Sequence, residues 1–192
     1  MRKSRAETAE TRERIVEAAS AEFRRNGIGA TGLAGLMGAA GLTHGGFYKH
    51  FESKDQVVAE ACTRSIEQIA DSLGKAMASH RGPNRLHGAV NGYLSPSHRD
   101  HPDSGCPFAA LGPELARGGE TVRDSATAGI ERMIALIAGP DADAVARQDA
   151  MVALSAMVGA LTLSRIADGQ LSKDLLKQMR QHLLDTLPSL GR

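Results

Sequence analysis

Apolar residues recur along this chain at intervals of three and four, the spacing that gathers them on one face of an α-helix. Ile15, Ala18, Ala19 and Phe23 mark the first such face. That helix is expected to start near Thr8 or Thr11, either of which can cap it, and to stop at Asn26-Gly27. Thr31 is placed to cap a second, short helix with Leu33, Leu36, Met37 and Ala40 on one side, closed by Gly41. Thr43 is placed to cap a third, with Phe47 and Phe51 one turn apart on its inner side. Ser53 opens the near capping box SKDQ, and a fourth helix runs from it past Ala70. Further helices are expected over 83–94, 107–116, 120–138, 143–167 and 172–187, separated by breaks rich in Gly and Pro. No segment alternates with the period of a β-strand, and no internal repeat is present. The pattern therefore predicts an all-α fold: a three-helix head over residues 1–52 and a larger helical body over 53–192.

Composition changes this picture little. The 192 residues are 42% hydrophobic and 23% charged, which fits a packed globular chain and excludes a disordered one. The longest uncharged run, 150–164, is shorter than the ~18 to 20 apolar residues of a membrane span. The first fourteen residues are charged throughout and lack the apolar core of a secretory signal. Two cysteines, Cys62 and Cys106, make no disulfide framework, so a reducing cytoplasm is expected. The net charge of +1 says nothing in favour of a polyanionic partner. Locally, residues 1–54 carry nine Lys or Arg against six Glu, a modest excess that permits phosphate binding.

The stretch GLTHGGFYKHF, residues 41–51, carries the most specific chemistry. Two short helices joined by AAGL, the second rich in small polar residues, read as a helix-turn-helix, whose second helix enters a DNA major groove. Gly45 and Gly46 thin the outer face at a cost of about 1 kcal/mol each in helix propensity. Phe47 and Phe51 offset that cost by packing inward on Ile15, Phe23, Leu36 and Leu42. Thr43, His44, Tyr48, Lys49 and His50 then face outward, and Lys54 opens the next helix where it can grip a phosphate. The alternative is a helical hairpin with no DNA role, in which Tyr48 and His50 are ordinary surface residues.

The segment from Thr11 to Val58, above all the run T-x-G-x-F-Y-x-H-F followed by Ser53-Lys54, resembles the TetR family of one-component transcriptional regulators. The resemblance implies an N-terminal DNA-binding head, a C-terminal ligand-binding and dimerising body, and repression relieved by a small molecule. It implies double-stranded operator DNA and a second copy of the chain as partners, with no membrane partner and no cofactor. Thr31, Thr43, Tyr48, His50 and Lys54 match positions that commonly contact DNA. Gly45 matches the small position that lets the helix approach, and His44 and Gly46 lie where the family varies with its operator. Gly35 and Gly38 depart from the Ala-rich pattern usual in the second helix.

In the body, Met151, Leu154, Met157, Val158, Leu161, Leu175, Met179 and Leu183 are the candidate dimer interface; the alternative is that both of their helices are intrachain core. Tyr93, Leu94, Phe108, Leu111, Met133 and Ile137 are the candidate ligand pocket, and the same residues read as ordinary core. Cys106, followed by Pro107, is expected at a helix N-cap, where the dipole and free N–H groups stabilise a thiolate. His98, Arg99 and His101 lie close in sequence and would favour that thiolate further. Some TetR-like regulators with a cysteine in this region respond to electrophiles or hypochlorite, so the resemblance makes Cys106 a candidate sensor. An inert buried thiol and a metal loop of His98, Asp100, His101, Asp103 and Cys106 remain alternatives. A phosphate-cradling GxxxxGK[ST], a GxSxG elbow and an HExxH pair are all missing, so a regulator rather than an enzyme is expected. The competing class is a helical interaction module.

Overall fold

A computed structural model describes residues 5–80 and 85–187. Among these, every regular element is helical. The head consists of α1 (Arg5–Asn26), α2 (Leu33–Ala39) and a 3₁₀ helix (His44–Lys49). The body consists of α3 (Lys54–Ser79), α4 (Arg85–Tyr93), α5 (Pro96–Asp100), a second 3₁₀ turn (Pro102–Ser104), α6 (Pro107–Ala116), α7 (Glu120–Ala138), α8 (Ala144–Ile166) and α9 (Gly169–Thr186). The expected start of α4 at Pro83 lies outside the described residues.

The head core is the one the spacing predicts. Phe47 and Phe51 are buried together with Ile15, Phe23 and Leu36. The two rings stack with centroids 5.6 Å apart, and the Arg12 guanidinium lies 4.1 Å above the Phe51 ring. Ser53 caps α3 by accepting from the Gln56 N–H at 3.1 Å. Gln56 Oε1 in return accepts at 2.9 Å from the N–H of Glu52, the residue before the cap, a reciprocal bond one position earlier than in a standard capping box.

Two local expectations are corrected. The third element is a six-residue 3₁₀ helix rather than an α-helix, held by Gly46 N–H to Thr43 O and His50 N–H to Phe47 O. Two consecutive glycines lack the propensity to hold an α-turn, and the shorter i→i+3 closure prevails. Thr31 is not the cap of α2 either. Gly32 occupies that position, while the Thr31 hydroxyl donates 2.7 Å to the Gly27 carbonyl and closes the preceding turn.

The 26-residue α3 is the spine. It packs on α1, α4 and α7 and so touches both head and body. At its crossing with α4 the backbones meet directly: a Cβ on Gly88 would overlap the carbonyl of Ala76 and lie 2.9 Å from the Met77 Cα. α8 is apolar and long enough to cross a membrane by length and composition alone. It is packed against α6, α7 and α9, with Ala150, Ala153, Leu154, Met157, Ala160, Leu161 and Ser164 buried. The polar stretch after Tyr93, expected as a loop, is folded into α5 and a 3₁₀ turn that lean on α8 and α1.

Candidate nucleic-acid interface and sensor loop

The 3₁₀ helix presents Thr43, His44, Gly45, Tyr48 and Lys49 to solvent. Tyr48 is 69% exposed although its ring meets Phe47 edge-on at 5.2 Å. The inner aromatics thus fix the segment while its outer side stays thin and carries no acid. His50 is half-buried, and its carbonyl accepts from Arg12. Lys54 is half-buried and donates to the Ile28 carbonyl at 2.5 Å, which ties the start of α3 to the α1–α2 turn. Thr31 is corrected as a DNA contact: it is 5% exposed and its hydroxyl is committed within the turn.

A second constellation surrounds Cys106. The residue is the N-cap of α6, as expected, but it is fully buried. Burial pushes its thiol up, against opposing contributions from the Tyr93 hydroxyl, the Ala109 and Phe108 N–H groups and the Arg165 charge. The expected stabilised thiolate is therefore corrected. The helix terminus acts in the predicted direction, and desolvation outweighs it. Of the three nearby basic residues, only His98 touches the site. Arg99 pairs with Asp100 at 2.7 Å, and His101 Nδ1 bonds the Ser97 carbonyl.

His98 is fixed at both nitrogens. Nε2 accepts from the Cys106 N–H at 2.9 Å, so Nδ1 carries the proton and donates to the Tyr93 carbonyl at 2.7 Å. Burial, with the charges of Arg165 and Arg24 adding to it against the Tyr93 hydrogen bond, depresses the imidazole from its ordinary 6.5 to about 4. The ring is neutral in the fold. Its contribution is present above the unfolded value near 6.5 and is lost as pH falls towards 4. Wild type should lose at most about 3 kcal/mol across that window. His98→Gln should flatten this segment of a stability-against-pH curve measured by urea unfolding; an unchanged slope would remove His98 as its source.

Two cations close the site. Arg165 donates from Nη2 to the His98 carbonyl at 2.8 Å and from Nε to the Arg99 carbonyl at 3.2 Å. Its Nη1, and the Tyr93 hydroxyl, are buried with no hydrogen-bond partner of normal geometry. Arg24 reaches across from α1 to the Gly105 carbonyl at 2.8 Å. Gly105 lets the His98 ring fold against this peptide, since a Cβ there would sit 2.7 Å from that ring. Neither arginine was singled out by sequence. The one available signal was Arg165, a lone cation after the long uncharged run of α8. For a metal, the donors are already committed: Asp100 to Arg99, Asp103 to Arg25, and His98 on both sides. Among the described residues no three His, Cys, Asp or Glu side chains converge.

Most of the candidate pocket residues pack in the interior. Tyr93, Leu94, Leu111, Met133 and Ile137 are core. Phe108 instead lines a separate apolar groove of about 450 Å³ between α6, α7 and α8, with Leu115, Ala126, Ile130, Leu154 and Val158, and with Arg123, Thr127 and Ser155 as its polar groups. Half of the candidate interface residues lie inside the chain. Leu154, Met157, Leu161 and Leu183 are buried within the chain, and Val158, Leu175 and Met179 are half-buried. Met151 is exposed, as are Val152, Leu163, Ile166 and Leu171.

A short helix, a turn and a thin exposed segment buttressed by stacked phenylalanines define a helix-turn-helix regulator. Residues 15–61 match the family described as bacterial regulatory proteins, tetR family, and residues 82–184 match the tetracyclin repressor-like C-terminal domain. The chain belongs to the TetR family of transcriptional regulators and is not an enzyme. It is 37% identical over 79 residues to the HTH-type transcriptional regulator TtgR of Pseudomonas putida, 41% of this chain and 37% of that protein. It is 38% identical over 88 residues to the HTH-type transcriptional repressor BepR of Brucella suis, 45% of this chain and 41% of that protein. The matched segments thus span about two fifths of these relatives. A TetR regulator from Chloroflexus aurantiacus superposes with a TM-score of 0.77 at 26% identity, covering 97% of this chain and 98% of that one. The reduced form of Escherichia coli NemR superposes with a TM-score of 0.75 at 21% identity, covering 92% and 96%, a likeness of fold.

Proposed function

We propose that the protein is a homodimeric cytoplasmic repressor that places two 43–50 segments in successive major grooves of an operator. A small molecule in the groove, or modification of Cys106, releases it. The observation that carries this reading is the exposed face of Thr43, His44, Tyr48 and Lys49 held out by buried Phe47 and Phe51. The head ends before Ser53, and α3 onwards forms the effector body.

Both effector routes bear on α6. Phe108 is a wall of the groove and lies two residues after Cys106, so a ligand seated there presses on the helix start that Cys106 caps. An α,β-unsaturated carbonyl is the electrophile class that fits the thiol. The Sγ–C bond forms at the β-carbon, the C=C π bond opens, and the thiol proton ends on the α-carbon. Because Cys106 is fully buried, the α5–α6 segment opens before reaction. A coupling of about 1 to 3 kcal/mol is enough to change operator occupancy markedly.

The test is binding of the purified protein to the intergenic fragment upstream of its own gene, with and without N-ethylmaleimide. Wild type should bind with an affinity that falls steeply with salt. Tyr48→Ala should bind at least about tenfold more weakly. The electrophile should release wild type and leave Cys106→Ser bound. Equal affinity for unrelated DNA sinks the regulator reading, and release of Cys106→Ser sinks the thiol route.

A further inference from the structure

The peptide unit between Gly105 and Cys106 is held at both ends. Its carbonyl accepts from Arg24 Nη1 at 2.8 Å, and its N–H donates to His98 Nε2 at 2.9 Å. Arg24 belongs to the head, directly after Phe23, whose ring packs in the same core as Phe47 and Phe51. His98 belongs to the segment that covers Cys106. Moving Cys106 towards solvent turns this peptide and breaks both bonds together.

Arg24 is an unusual residue to find in that place. It is 4% exposed, and among the described residues no carboxylate comes within ion-pair distance of it. Its other bonds run to the Ser20 carbonyl, the Ser20 hydroxyl and Gln68 Oε1. With no counter-ion beside it, the guanidinium depends on these neutral acceptors, and losing one of them leaves a buried charged donor unsatisfied. The other ties from this region to the head are weaker. Arg25–Asp103 is a surface pair at 2.7 Å, screened by water, and Glu114 takes the exposed Gly29 N–H.

We propose that Arg24 is the positioning residue that links the Cys106 segment to the DNA-reading head, latching the segment shut in one head orientation. Opening the segment then frees the head, and holding the head on DNA keeps the segment closed. Linkage is reciprocal, so operator DNA protects Cys106 to the same extent that modification of Cys106 weakens DNA binding. This rests on the reading of the head as the DNA-binding part and of Cys106 as its responsive thiol.

The test follows N-ethylmaleimide labelling of each cysteine by peptide mass spectrometry, in wild type and Arg24→Met, free and with the upstream fragment at saturation. Cys62, buried in α3, is the internal control. Losing one charge-assisted hydrogen bond from the closed state should speed Cys106 labelling about tenfold or more, with Cys62 unchanged. DNA should slow Cys106 labelling in wild type and not in Arg24→Met, and Arg24→Lys should fall between. Equal Cys106 rates in the free proteins overturn the latch. Acceleration of both thiols together overturns it too, since that is general loosening. Wild type that binds the fragment without protecting Cys106 overturns the link and leaves the regulator intact. Failure of wild type to bind the fragment counts against the regulator reading and the link together, and the free-protein arm tells it apart from failure of the latch.

Discussion

Phe47→Ala should cost about 3 to 5 kcal/mol of stability, the range for truncating a fully buried aromatic. Phe47 has no exposed surface. It stacks on Phe51 and meets Tyr48 edge-on. Its backbone sits in a 3₁₀ segment that contains two glycines, Gly45 and Gly46, so local propensity contributes little to hold the conformation. The side chain is the anchor of the whole 43–50 segment. Chemical unfolding followed by circular dichroism measures the loss, and Phe47→Leu should recover part of it. A loss below about 1 kcal/mol would mean that the ring is dispensable and that α2 and α3 position the segment unaided.

Leu163→Glu should convert the protein to a monomer and lower operator affinity by about a hundredfold or more, because two linked heads bind far more tightly than one. The basis is the outer face of α8. Val152, Ser155, Gly159, Leu163 and Ile166 recur at three and four residues, and all are exposed. Ile166 is 77% exposed, and Leu171 continues the apolar surface at the start of α9. An apolar row of this kind marks an interaction surface, and Gly159 leaves open space at its centre for a close approach. A second copy covering it by symmetry would make a four-helix interface. Sedimentation of wild type and variant measures the state. A variant that remains dimeric would place the interface elsewhere.

The sequence pattern carried the fold well where apolar spacing and breakers agreed. Ser53, Asp143 and Cys106 stand at the helix starts expected of them, and Phe47 and Phe51 point inward as their spacing requires. It failed where two local preferences competed. Thr31 is a good N-cap residue, but the Gly27 carbonyl lies four residues back and takes its hydroxyl. It failed again where a helix is apolar nearly all round. In α8 either the Leu154, Met157 and Leu161 face or the Val152, Leu163 and Ile166 face reads as core, and only the packing of α7 and α9 decides between them. The Cys106 site was legible as a residue and not as an environment. The position of Cys106 at a helix start is local, whereas its burial depends on His98 folding back and on Arg24 arriving from 81 residues away. Contacts at that separation leave no periodic trace.

The meeting of α3 and α4 at Gly88 has a mechanical consequence. With no side chain between the two backbones, this crossing leaves neither helix room to slide, so the end of α3 and the start of α4 are fixed to one another. From Ala76 to Lys54 the spine measures ~33 Å, while from Gly88 to Tyr93 the short arm measures ~8 Å, at 1.5 Å per residue. A rotation of about 5° around the crossing carries the head end by ~3 Å, roughly four times the displacement at the Tyr93 end. Tyr93 is the residue whose carbonyl holds His98. For a pair turning as one piece, a sub-ångström shift at Tyr93 therefore corresponds to several times that distance at the head end of α3.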